Sequence, residues 1–179
     1  MQDWTEAYKE WADLIGKGIT DIQWVDMWYN QTEVFGDEYP FGLPAVFIDI
    51  GADNIQTIGN QAQDINAQIG FFLAFETLAD TYEGAWNQDS ALAFNRLLTE
   101  LHKLLQNRAG ENFSAMNRVA IQPVDTGTNV LVYRIVYDTI IRDYSASPEF
   151  IEVASPGMTV KNEKGDDNGD DDPLFDVTT

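Results

Sequence analysis

TNVLVYRIVYDTIIR, residues Thr128 to Arg142, decides the fold of this chain. Leu131, Tyr133, Ile135, Tyr137, Thr139 and Ile141 fall on one side of an extended backbone. Val130, Val132, Arg134, Val136, Asp138, Ile140 and Arg142 fall on the other. Alternation with period two over this length is the mark of a β-strand. At ~3.3 Å per residue the strand spans roughly 50 Å, more than a small domain needs to cover its own core. SAMNRVAIQPV, Ser114 to Val124, precedes it and is joined to it through Asp125-Thr126-Gly127, so the two form a hairpin. A half-apolar hairpin of this length is expected to project and to meet another chain, which points to assembly rather than to chemistry.

Working outward, a helix is expected from Trp4 to Ile15, with Asp3 as N-cap and Glu6 three positions later. Trp4, Tyr8, Trp11 and Ile15 form its apolar stripe, and Gly16 and Gly18 end it. IQWVDMWY, Ile22 to Tyr29, reads as a strand, and PAVFIDI, Pro44 to Ile50, as another. Between them Gln31 to Leu43 is a polar and aromatic connector. Gly51 to Gln63 reads as a polar loop, and Asp64 to Thr77 as a strand with Ile65, Ala67, Ile69, Phe71, Leu73 and Phe75 on its apolar face. A second helix is expected from Ser90 to Asn107, capped by Asp89 or Ser90 and closed by Gly110. Phe94, Leu97, Leu98, Leu101, Leu104 and Leu105 make its stripe. The order α-β-β-β-α-β-β predicts an α+β fold: a mainly antiparallel sheet of four to five strands, two helices packed on one face, and a long C-terminal hairpin.

The domain is expected to cover residues 1–148, followed by an extended acidic arm over residues 149–179. Val160 to Thr179 holds 2 basic and 7 acidic residues and, alone in water, belongs to the disordered class. Leu174, Phe175 and Val177 follow this charged spacer and read either as a docking peptide or as a plain apolar chain end.

Composition bounds the function. The chain has 179 residues, 30 acidic against 10 basic, for a net charge of −20. Such a balance disfavours binding to phosphate backbones and to anionic membranes. It suits solubility, or a surface that nucleic acid passes without adhering. There is no cysteine, no stretch with the ~20 apolar residues of a membrane span, and no secretory leader pattern at the start, so a soluble chain assembled inside a cell is expected. A single histidine, His102, leaves no basis for a histidine-rich metal site and reads as a helix-flank residue. No G-x-S-x-G elbow, Walker loop or G-x-G-x-x-G run occurs, and acids such as Asp49 and Glu76 read as solvated strand-face groups. Asp166, Asn168 and Asp170 imitate the first ligands of an EF-hand, but Asp171 and Val177 stand where glycine and glutamate belong, which leaves weak calcium binding at most. No enzyme activity, cofactor or metal is expected. Trp24, Trp28, Tyr29 and Trp86 serve either the core or an interface. Subunit-interface candidates are Arg134, Asp138, Arg142, Trp24 and Trp28.

The layout resembles the tail terminator (tail completion) proteins of long-tailed bacteriophages. The parts that carry the resemblance, in order, are the N-terminal helix, LPAVFIDIG (Leu43 to Gly51), a polar loop, NAQIGFFLAFET (Asn66 to Thr77), the Leu-rich helix and the closing hairpin. It spans Ile22 to Tyr144, whereas the connector Gln31 to Gly42 and the acidic arm depart from the family pattern. The resemblance implies a structural virion protein without catalytic residues. Its ring, usually of six copies, caps the tail tube, joins the head-side connector and passes DNA through its channel. The implied partners are further copies, the tail tube protein and the head-completion or connector protein, in the virion neck and with no membrane. Asp53 and Asp64, at the ends of the polar loop, are the channel candidates. Alternatives are another head–tail connector or adaptor ring protein, a monomeric acidic module that mimics DNA, and a small carboxylate-dependent hydrolase.

Overall fold

The computed structural model describes residues 4–31, 41–59, 61–76 and 79–147. Its elements are α1 (Trp4–Gly18), β1 (Trp24–Met27), β2 (Ala45–Gly59), β3 (Ala62–Glu76), α2 (Gln88–Ala91), α3 (Ala93–Leu105), β4 (Asn117–Val124) and β5 (Val130–Asp143). The strands form one five-stranded sheet in the order β1-β2-β3-β5-β4. Only β1, parallel to β2, departs from antiparallel pairing. The fold is α+β, as expected.

Both long helices pack on the same face of the sheet. Ala7, Trp11 and Ile15 of α1 and Leu97, Leu98, Leu101 and Leu105 of α3 share a core with Val46 and Ile48 of β2, Ile65 to Leu73 on alternate positions of β3, and Ile135, Tyr137 and Ile141 of β5. Aromatic edges lock the middle of this layer: Trp11 and Tyr137 both meet the Phe71 ring edge-on, at 6.5 and 5.8 Å between centroids. Glu10 ties α1 to the chain ahead of β4, because its carboxylate accepts the backbone N–H groups of Glu111 and Asn112 at 3.0 and 3.1 Å. Thr139 is buried and donates to the Ser114 carbonyl at 2.7 Å, so its hydroxyl carries no desolvation penalty.

Three boundaries differ from the sequence reading, each for a local reason. α1 runs one turn beyond Ile15, through both glycines, because Ile19 N–H still bonds the Ile15 carbonyl. The second helix divides at Leu92 into α2 and α3, its start at Asn87 makes no side-chain cap bond, and the chain leaves it at Gln106 rather than at Gly110. Asn107, with φ of 58°, supplies the left-handed residue that glycine was expected to provide. The turn before β5 is as read: Gly127 has φ of 64° and its N–H is held by Asp125 Oδ1 at 3.0 Å.

The larger correction concerns which strand is exposed. β5 lies inside the sheet, paired with β3 along its whole length from Val130↔Glu76 to Asp143↔Gln63, so its ~50 Å are used within the fold. Residues 51–59, read as a polar loop, instead continue β2 and pair with β3 as far as Gly59↔Ala62. Their polarity marks exposure, since β1 covers the outer edge of β2 only as far as Ile48 and residues 52–59 are all solvent-exposed. The distal half of β2 is the exposed stretch of the β2–β3 hairpin, while β3 beside it stays paired with β5 and contributes Ile65 and Ala67 to the core.

Truncation should separate the two regions. Phe71→Ala, in the aromatic centre, is expected to destabilise by about 3–5 kcal/mol, whereas Ile55→Ala on the exposed β2 edge should change stability by about 0.5 kcal/mol or less, both measured by urea unfolding.

Candidate interaction face and edges

The face of the sheet opposite the helices holds every interface candidate that the sequence supplied. Register places Trp24, Ala45, Ala74, Val132 and Val124 in one row across the strands, and Asp26, Phe47, Phe72, Arg134 and Gln122 in the next. Asp49, Gly70, Val136 and Ala120 follow, then Gln68, Asp138 and Asn117, then Asn66 and Ile140, then Asp64 and Arg142. Trp24, Trp28, Arg134, Asp138 and Arg142 are therefore on one surface, although they lie far apart in sequence.

This face has two halves of different character. At the β1 end, Phe41, Ala45, Phe47, Phe72, Ala74, Val130 and Val132 form a second apolar cluster, with Trp28, Leu43 and Val124 packed against it. Trp28 stacks flat on Phe72 with centroids 3.9 Å apart, while Arg134 reaches over the Phe72 ring from the β5 side at 5.6 Å. Arg134 also pairs with Asp49 at 3.5 Å across β3. The crossing passes above Gly70, where an added Cβ would lie 3.1 Å from Arg134 Nε, so glycine leaves the space the guanidinium occupies. Of the four aromatics left open between core and interface, Trp28 supports this cluster, and the interface candidate Arg134 packs on it as well. Trp24 and Tyr29 remain exposed, and Trp86 is 92 % exposed on the segment before α2.

The distal half is polar. A cavity of about 460 Å³ opens there among Asp53, Asn54, Asn66, Gln68, Asn117 and Asp138, residues drawn from β2, β3, β4 and β5. Asp138 Oδ1 is buried in it without a hydrogen-bond partner. Asp53 is the extra residue of a bulge between the Ala52↔Ala67 and Asn54↔Asn66 pairs, and is not a loop residue. Asp64, the other channel candidate, lies on β3 and is clamped by Arg142, whose Nε–H and Nη2–H donate to its two oxygens at 2.6 and 3.1 Å. That bond holds the Asp64 carboxyl below its ordinary pKa and raises Arg142 further above its own. Leu174, Phe175 and Val177 lie outside the described residues.

On the helix side, His102 Nδ1 sits 3.1 Å from the Tyr137 hydroxyl. Burial, then the Arg118 charge, lowers the His102 pKa, and burial pushes Tyr137 up to about 12. The pair reads as a satisfied core contact at the helix flank, in line with the expectation for His102. Among the described residues, no group of three or more His, Asp or Glu side chains could hold a metal ion. The sequence reading missed the roles of Phe47, Asp49, Gly70 and Phe72. The signals for Phe47 and Phe72 were the runs AVFI and GFFLAF, in which consecutive apolar residues require both faces of the strand to be covered. Comparison with protein-family models and with curated proteins returns no match.

Two titrations test these contacts. Carboxyl NMR should place Asp64 below the ordinary value of about 3.9, and Arg142→Gln should return it there. The stability from this pair is present above the unfolded carboxylate pKa and is lost as pH falls through the lower folded value. Tyr137 works in the opposite direction. Its contribution is complete below about 10 and is lost as pH rises towards about 12, and Tyr137→Phe should remove that slope from the unfolding free energy.

Proposed function

We propose that this chain is a structural ring subunit of a long-tailed bacteriophage, six copies of which cap the tail tube, join it to the head-side connector and leave a channel for DNA. The observation that carries the reading is the asymmetry of the sheet: one face is closed by α1 and α3, while the opposite face is polar in its distal half and β2 beyond Ala52 is solvent-exposed. A ring subunit needs unlike surfaces to offer to its two neighbours, and an open sheet supplies them. The order of elements keeps the first helix, the Leu-rich helix and the closing hairpin on which the resemblance to the tail terminator proteins rests, with a strand extension in place of the polar loop.

In this arrangement the distal β2–β3 hairpin is the segment that lines the channel. Within one copy, and among the described residues, Asp53 is in no ion pair, whereas the charge of Asp64 is matched by Arg142. A lumen with net negative charge repels the phosphate backbone and lets DNA pass without being held. The tail tube protein and the head-completion or connector protein are the partners above and below the ring, and virion assembly takes place in the host cytoplasm.

Sedimentation of the purified chain over a wide concentration range, alone and with tail tubes, followed by negative-stain imaging, tests the proposal. Closed rings with a central hole, free or seated on tube ends, are the expected result. A chain that stays monomeric at every concentration and leaves tube ends bare would overturn it.

A further inference from the structure

We propose that copies of this chain join edge to edge, the outer edge of β4 in one copy adding to residues 49–59 of β2 in the next; the inference deepens the ring reading and rests on it. Besides the short outer side of β1, these two edges are the long exposed flanks of the described sheet. β1 reaches no further than Met27↔Ile48, so among the described residues β2 has no neighbouring strand on its outer side from Asp49 onward. β4 is the last strand at the opposite end and is exposed along nearly its whole length.

Both edges carry only part of the protection that solitary sheets usually have. Exposed sheet edges normally carry charges that oppose pairing with another chain. Here each edge presents large apolar side chains to solvent, Ile55 and Ile58 at 53 and 48 % exposure on β2, and Val119 and Ile121 at 51 and 47 % on β4. Bulges at Asp53, Ile58 and Val119 and the missing N–H of Pro123 narrow the stretch available for pairing without closing it. Gln106 already occupies the start of β4, where its Oε1 accepts Arg118 N–H at 3.1 Å, which leaves Val119 to Gln122 as the free segment.

Charge fixes which edge meets which. β1 and β2 contain Asp26, Asp49 and Asp53 and no cation, whereas β4 contains Arg118 and no acid. Among the described residues, the cations in no ion pair are Lys103, Arg108 and Arg118, and they follow one another from the end of α3 into β4. Arg108 sits beside the start of β4, since its carbonyl accepts Met116 N–H at 2.9 Å. In a chain of net charge −20 this is the place where a second copy is attracted rather than repelled. A β4–β4 contact would oppose cations, and a β2–β2 contact would oppose acids. The unlike pairing is favoured, and it is heterologous, the kind that continues from copy to copy until a ring closes.

The chain has no cysteine, so introduced thiols report a single contact. Copies carrying Ile55→Cys are mixed with copies carrying Ile121→Cys at assembling concentration and oxidised, with Ile140→Cys on the helix-free face as control. The expected product is a disulfide-linked pair formed only in the mixture. Arg118→Glu should raise the concentration needed for assembly by roughly tenfold or more, and adding Asp53→Arg to the same chain should restore much of the loss. Rings seen by imaging without the Ile55–Ile121 crosslink, or crosslinks within either single variant, overturn the edge pairing and leave the ring reading in place. Absence of any assembly overturns both.

Discussion

The pairing of β3 with β5 is the constraint on which the rest of this structure depends. Its register, from Gln63↔Asp143 to Glu76↔Val130, sets which side chains point to α1 and α3 and which to the open face. Because side chains alternate, a slip of one residue would turn Ile135, Tyr137 and Ile141 away from the helices and bring Arg134 and Asp138 into the core. The Phe71–Tyr137 contact within the core and the Asp64–Arg142 clamp at the far end both oppose such a slip. One ladder therefore secures the hydrophobic layer and, through the same atoms, the arrangement of Arg134 over Phe72.

Much of this was legible in the sequence. The stripes on the two helices and the alternation in β3 and β5 report burial directly, and burial decided those elements. The distal part of β2 was illegible for the complementary reason. Ala52 to Gly59 has no core above it, so its residues answer to solvent, and Asp53, Asn54, Gln56 and Thr57 look like loop residues to any reading based on hydrophobic period. Its strand character comes from β3 alongside, a non-local partner that no window of sequence contains. The split at Leu92 was hidden in a similar way, since the Leu stripe of α3 continues smoothly back to Phe94.

The interface candidates were legible as residue types but not as a surface. Arg134, Asp138 and Arg142 shared a face by period alone, whereas Trp24 and Trp28 joined them only through the parallel β1–β2 pairing. Sequence could not tell that Trp28 and Arg134 are occupied with Phe72, one on each side. That occupation moves the exposed apolar surface to the sheet edges, where Ile55, Ile58, Val119 and Ile121 had drawn no notice.

The position of β5 also governs the order in which the molecule can be made. It is the last described strand to leave the ribosome, yet it occupies the middle of the sheet. Until it arrives, β3 has a strand on one side only and the sheet is limited to β1, β2 and β3. The whole stretch from Glu76 to Val130 must be looped out before the central ladder closes, a non-local step of the kind that slows folding. During synthesis the apolar faces of β2 and β3 are thus exposed longest, and the nascent chain is most open to chaperones, or to premature pairing with other copies, before β5 is released.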